Sequence, residues 1–195
     1  MTTPINSYHL TPDKTWMQTK YLPQLSGKIL FVGAMPNYHT LVKTPELFES
    51  LDFDPSFSTK SISPFKHHAC DFLEFENGYN YNHISLHGLW GGNGRDEFFV
   101  FNNNSDREKS KETSKSLTKK IIDSVSKAHS MLNVGGTLQI GPNMGKIVTL
   151  YNFLIKKHYN QIAGGILPGE EPGNFIFWGE KKDNSPLYCD IKNLY

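Results

Sequence analysis

Lys28-Ile29-Leu30-Phe31-Val32-Gly33, running into Ala34-Met35-Pro36-Asn37, is the stretch that decides the fold. An unbroken apolar run between a lysine and a glycine is the pattern of a strand covered on both faces, as in the interior of a parallel sheet. Gly33 and Pro36 then force a sharp turn. Upstream, Leu22-Pro23 and Ser26-Gly27 break off a polar lead-in over residues 1–27. Within it Thr11-Pro12-Asp13-Lys14 reads as a helix start, and Trp16 as the side chain that packs the segment onto the domain formed by 28–195.

Downstream the spacing alternates between strand and helix. Leu41 to Leu51 suggests a short helix that Pro45 starts or interrupts, and Ser50 to Pro55 suggests a strand. His67 to Phe75 reads as a strand ending at Asp71, followed by a turn. Tyr81 to Leu89, centred on His83-Ile-Ser-Leu-His87, reads as an interior strand that runs into the glycine-rich loop Gly88–Gly94. From Lys115 an apolar stripe at Leu117, Ile121, Ile122, Val125, Ala128 and Leu132 predicts an amphipathic helix, capped at Asn133 or Gly135-Gly136. Thr137–Ile140 is the next strand, Ile147–Tyr159 has helical spacing, and Ile162–Leu167 with Asn174–Trp178 forms a closing pair of strands. This alternation predicts an α/β fold: an open, mostly parallel, doubly wound sheet with an antiparallel C-terminal hairpin. Ligands of such sheets bind outside the carboxyl ends of the strands.

Bulk properties narrow the function. The chain has 195 residues, 37% of them hydrophobic, and 20 Lys+Arg against 19 Asp+Glu. That size and composition fit one globular domain. The charge balance gives no global reason to expect nucleic acid or an anionic membrane as partner. The basic run Lys109–Lys120 reads as a solvated helix start before it reads as a docking patch. Cys70 and Cys189 stand far apart and outside any CxxC pair, which points to a reducing, cytoplasmic compartment. The N-terminus lacks the apolar core of a signal peptide, and no apolar run reaches the ~20 residues of a membrane span.

Several strand-end residues have side chains suited to chemistry. Asp54, with Asp52 as the alternative, lies about twenty residues after Gly33, the spacing at which a nucleotide-binding fold presents a carboxylate to two ribose hydroxyls; either acid could equally be a cap. His87 could serve as a general base near neutral pH or as a structural histidine. Trp90 sits among glycines, in a loop able to cover a substrate or to be pinned to the core. Asn37 and Asn143 are polar residues at strand-ending loops, open to a substrate role or to ordinary turn formation. The four histidines His67, His68, His83 and His87 lack the spacing and the partner ligands of a familiar metal site, so no metal is expected.

The order of these pieces resembles the class I S-adenosylmethionine-dependent methyltransferase family. The resemblance is carried by ILFVGAMPN ending at Asn37, LDFD (51–54), ACDFLEF (69–75), YNHISLHGLWG (81–91), MLNVGGTLQIGPN (131–143) and FIFWGEKKD (175–183). A helix ending in ML-x-x-GG before a strand is its most specific part, and FIFWGEKKD resembles the seventh strand, which the family inserts antiparallel. The resemblance implies S-adenosylmethionine as cofactor, lined by Gly33, Met35, Asp54, Asp71 and Phe72. Asp71 would accept from the adenine amino group and Phe72 would stack on the ring. His87 would be catalytic, with Asn37, Trp90 and Asn143 facing a small-molecule or protein acceptor. The first loop carries Gly33-Ala34-Met35-Pro36 where the family has a Gly-x-Gly turn. On that departure rests the rival reading, a methyltransferase-like scaffold without cofactor. A dehydrogenase is disfavoured because the chain has no Gly-x-Gly-x-x-Gly fingerprint.

Overall fold

A computed structural model describes residues 21–33, 40–52, 66–76, 80–86, 107–143, 155–166 and 175–187. The apolar run after Lys28 forms β1 (Ile29–Val32), all four side chains buried. It is followed by β2 (Phe48–Asp52), β3 (Lys66–Ala69), β4 (Tyr81–Leu86), the helix α1 (Arg107–Met131), β5 (Leu132–Asn143), β6 (Tyr159–Ile166) and β7 (Phe175–Lys181). The seven strands make one sheet in the order β3-β2-β1-β4-β5-β7-β6. β1 pairs in parallel with β2 and β4, β2 with β3, and β4 with β5. β7 runs antiparallel to both its neighbours, inserted between β5 and β6. The expected fold class is therefore the observed one.

The pleat of the sheet separates two cores. Leu30, Val32, Leu51, Ile84, Leu86, Leu138, Ile140 and Phe177 point to one face, where Ile121, Ile122, Val125 and Ala128 of α1 cover them. Ile29, Phe31, Phe48 and Trp178 point to the other, where Tyr21, Leu22, Leu25 and Val42 cover them. Ile121, Ile122, Val125 and Ala128 of the stripe read from the sequence thus form a face of α1 that meets the sheet, whereas Leu132, expected at its end, opens β5. Among the described residues no helix is long and apolar enough to cross a membrane.

Several boundaries differ from the sequence reading, among them β3, which ends at Ala69 and not at Asp71. Residues 41–51 hold no α-helix: Pro45–Leu47 is a single 3₁₀ turn, and the chain extends into β2 from Phe48 onward. The cause is lateral, since Phe48 is buried against Phe31 with the rings stacked at 5.2 Å. α1 begins at Arg107, well before its apolar stripe. Gly135 and Gly136 do not cap α1; they lie inside β5, where the pairing with β4 slips between Tyr81 and His83. Gly135 takes up the irregularity with φ +78°, and a Cβ on Gly136 would sit 3.1 Å from the Tyr81 carbonyl and 2.9 Å from that of Asn133. Of the helix expected over Ile147–Tyr159, residues 147–154 lie outside the described residues; Ile155 to His158 make a turn closed by the His158 N–H on the Ile155 carbonyl, and β6 starts at Tyr159 itself.

Candidate functional site

Because β1 to β5 are parallel, their carboxyl ends meet along one edge of the sheet. That edge collects Gly33 after β1, Asp52 at the end of β2, Cys70 and Asp71 after β3, Leu86 closing β4, and Asn143 closing β5. Gly33 has φ +86°, a left-handed conformation that a side chain resists, and its N–H donates to the Leu51 carbonyl at 2.9 Å. The bend out of β1 is therefore tied to the neighbouring strand end, with no side chain at its apex.

Asp71 is held by a tight local turn. Its Oδ1 accepts from the Leu73 N–H at 2.8 Å, and its carbonyl from the Glu74 N–H at 3.1 Å. Oδ2 has no donor among the described residues, and the residue is exposed. The next residue, Phe72, is only 2% exposed and belongs to the core under α1. Lys127 of α1 fastens the turn from above: its ammonium donates to the Leu73 carbonyl at 2.7 Å and lies 5.6 Å from the centre of the Phe72 ring. Partial burial lowers the pKa of Lys127, while the neighbouring Cys70, Glu76 and Asp71 act against that shift. Cys70 lies partly buried against the same core, and desolvation raises its thiol pKa.

Beneath this edge, on the face away from α1, the sheet carries a row of buried polar groups. His83 on β4 is 1% exposed and bonded on both nitrogens, to the Tyr21 hydroxyl at 2.5 Å and to Thr137 Oγ1 at 2.7 Å. A neutral imidazole donates through one nitrogen and accepts through the other, and two hydroxyls satisfy either arrangement. Burial drives the imidazole pKa down to about 3. One pleat further on, the Ser85 hydroxyl donates to Gln139 Oε1 on β5. Lys127, Tyr21 and the His83–Thr137 and Ser85–Gln139 pairs are supports that the sequence reading missed. The signal was the polar alternation His83-x-Ser85 on β4 facing Thr137-x-Gln139 on β5.

The structure brings Gly33 and Asp71 to the same sheet edge, with Phe72 turned into the core below them. Asn143 is the last residue of β5, paired with Phe175 of β7. Met35, Asn37, Asp54, His87 and Trp90 lie outside the described residues. Among the described residues no group of three or more His, Cys, Asp or Glu could hold a metal ion.

No protein-family model matches the chain. No curated protein matches it in sequence. Solved structures do match it in fold. One is the N-methyltransferase NodS from Bradyrhizobium japonicum WM9, at TM-score 0.51 and 12% identity, covering 80% of this chain and 85% of that one. The same enzyme in complex with S-adenosyl-L-homocysteine matches at TM-score 0.51 and 11% identity, covering 80% of this chain and 78% of that one. The fold is thus that of Rossmann-like methyltransferases.

Proposed function

We propose that this chain is a methyltransferase that takes its methyl group from S-adenosylmethionine and delivers it to a small-molecule or protein acceptor. One observation carries the reading: the sheet order β3-β2-β1-β4-β5-β7-β6 with β7 antiparallel, which sets on the same edge a positive-φ glycine and an aspartate with one oxygen unclaimed among the described residues. Fold alone does not fix chemistry, so the weight falls on those two strand ends. Similar solved structures include an N-methyltransferase with S-adenosyl-L-homocysteine bound.

The described residues suit such a cofactor. Gly33 lets the backbone at the end of β1 approach a ligand without a Cβ in the way. Oδ2 of Asp71 can accept from an exocyclic amine while Oδ1 stays with Leu73. Phe72, its ring committed to the core and to Lys127, serves the site by anchoring the turn that presents Asp71. Asp54, with Asp52 as its alternative, is assigned to the ribose and Met35 to the same cofactor. His87, the residue after Leu86, is assigned as general base, with Asn37, Trp90 and Asn143 on the acceptor side. The bound cofactor would supply an electrophilic methyl group, leaving the protein to align the acceptor and take up its proton. Two isolated cysteines suit a reducing compartment, and we place the protein in the cytoplasm.

Calorimetric titration with S-adenosylmethionine and S-adenosylhomocysteine tests this. We expect micromolar binding of both, weakened about tenfold or more by Asp71→Ala, equivalent to ~1.4 kcal/mol. Absence of binding by either ligand would overturn the proposal and leave a cofactor-free scaffold as the better description.

A further inference from the structure

The turn that presents Asp71 is held by a residue far from it in sequence. Its Leu73–Glu74 peptide plane is gripped at both ends: the carbonyl accepts from the Lys127 ammonium at 2.7 Å, and the N–H donates to the Asp71 carbonyl at 3.1 Å. The plane before it supplies the Leu73 N–H that Asp71 Oδ1 accepts at 2.8 Å. A cation on a carbonyl polarises the peptide and strengthens the N–H at its far end. Lys127, 54 positions after Leu73, therefore acts on the backbone of the turn and, through it, on the side chain of Asp71.

Packing alone does not call for a lysine at this position. The ammonium lies 5.6 Å from the centre of the buried Phe72 ring, against which a methionine would pack without desolvating a charge. Partial burial works against the charged form of Lys127. The Leu73 carbonyl does not require a protein donor either: Leu73 is only partly buried and Asp71 and Glu74 are exposed, so water can serve it. What the lysine adds is a charge in a fixed place. Residues 71–76 carry three acids, Asp71, Glu74 and Glu76, and the Lys127 ammonium is stabilised by Cys70, Glu76 and Asp71. Like charges so close repel and act to open the turn; one cation set on its backbone holds it shut.

We infer that Lys127 is a positioning residue for base recognition: by locking the turn over 71–74 it fixes where Asp71 Oδ2 points, and so sets the preference for a ring that bears an exocyclic amine. The inference rests on the cofactor reading proposed above and adds to it the residue that makes the aspartate selective. With Oδ1 bonded to the Leu73 N–H, the direction of Oδ2 follows from the geometry of the turn. An oxygen already aimed gives the full gain of an N–H···O⁻ bond, whereas a loose turn loses part of that gain to ordering. A ligand without the amine makes no such bond and is indifferent to the aim.

The test titrates the full chain with S-adenosylhomocysteine and with its analogue lacking the exocyclic amine. The unaltered chain is expected to prefer the amine-bearing ligand by about tenfold or more, the effect of one hydrogen bond to a carboxylate. Lys127→Met should cut that preference to about twofold and leave the affinity for the amine-free analogue nearly unchanged, and Lys127→Arg, which keeps cation and donor, should restore it. Added to Asp71→Ala, Lys127→Met should cause no further loss, since both act on one bond. Without ligand, the Leu73 and Glu74 amides should exchange with solvent about tenfold faster in Lys127→Met and at the normal rate in Lys127→Arg. Lys119→Met, exposed on the same helix and paired with Asp123, is the control that should change none of these. If Lys127→Met does not fold, Lys127→Gln, which removes the charge from a shorter stem, takes its place. Equal losses for both ligands, or a loss that arginine does not restore, would reduce Lys127 to packing and overturn the inference. Equal binding of the two ligands by the unaltered chain would overturn it too, with the cofactor reading left standing. Binding of neither ligand by that chain would remove the cofactor reading and this inference together.

Discussion

Lowering the pH from 6.5 to 4.5 is expected to cost this fold on the order of 5 kcal/mol of stability, through two buried histidines. The folded-state pKa values are about 3 for His83 and about 4 for His129, both set first by desolvation, and for His129 also by the neighbouring Lys181 charge. Free in the unfolded chain, each imidazole titrates near 6.5. Below that pH the unfolded state takes up protons that the folded state refuses, so stability falls as pH falls. Each histidine contributes about 1.4 kcal/mol per pH unit, and the loss continues until the folded-state pKa is reached. Glu49 adds a smaller loss that starts at the acid end of that window. Its desolvation is outweighed by hydrogen bonds from His68 and Tyr81 together with the Lys28 charge, which lower its pKa from 4.5, so its contribution begins to fade as the unfolded-state carboxyl protonates and is lost mostly at lower pH. Domains of this kind are stable by roughly 5–15 kcal/mol, so acid alone brings this one close to unfolding. Urea midpoints measured from pH 7.5 to 4.5 check the slope, and His129→Gln should halve it. A stability independent of pH between 7 and 5 would refute the burial of both rings as neutral imidazoles.

The parts of the fold that were legible in sequence are those whose burial is complete on both sides or strictly one-sided. Ile29–Val32 is apolar at every position because β1 is central and covered on both faces, and the stripe of α1 was legible because Ile121, Ile122, Val125 and Ala128 all pack into the core under the sheet. β2 was misread because its evidence lies elsewhere in the chain. Glu49 looks like a helical surface acid, yet it bonds His68, 19 positions away, and Tyr81, 32 positions away. No local window contains those partners.

At the candidate site the same division holds. ACDFLEF located the turn after β3, since an acid following a short apolar run is a strand-end pattern that sequence displays. The orientation of Phe72 was not displayed: an aromatic beside an exposed acid can face a ligand or the core. Lys127 and Phe75, from a distant helix and from the end of the same turn, line the side it took. The structural role of His83 was likewise not displayed, because its partner Tyr21 stands 62 positions earlier.

The antiparallel insertion of β7 exposes the packing to a sharper mutational test. Phe177→Ala is expected to destabilise the protein by about 3–5 kcal/mol, the range for deleting a large aromatic from a closed core. Phe177 is fully buried on a strand flanked on both sides, opposite Ile140 of β5 and Gly164 of β6, and its ring meets Tyr159 edge-on at 6.0 Å. The space for that ring exists because the residue two places along is glycine. A Cβ on Gly179 would run into Phe177 Cζ and stand 3.1 Å from Cε1. Gly179→Ala alone should therefore destabilise by forcing the ring aside. With the ring gone the clash is gone, and the added methyl fills part of the void, so Phe177→Ala/Gly179→Ala should lose less than the sum of the single changes. Recovery stays partial, since the new Cβ remains 3.2 Å from the Asn160 carbonyl, a backbone atom fixed by the β6–β7 ladder. A double-mutant cycle in urea should return a favourable coupling of about 1 kcal/mol or more. Additive losses would show that the ring does not lie over Gly179, and with it that β7 is not packed in the register described.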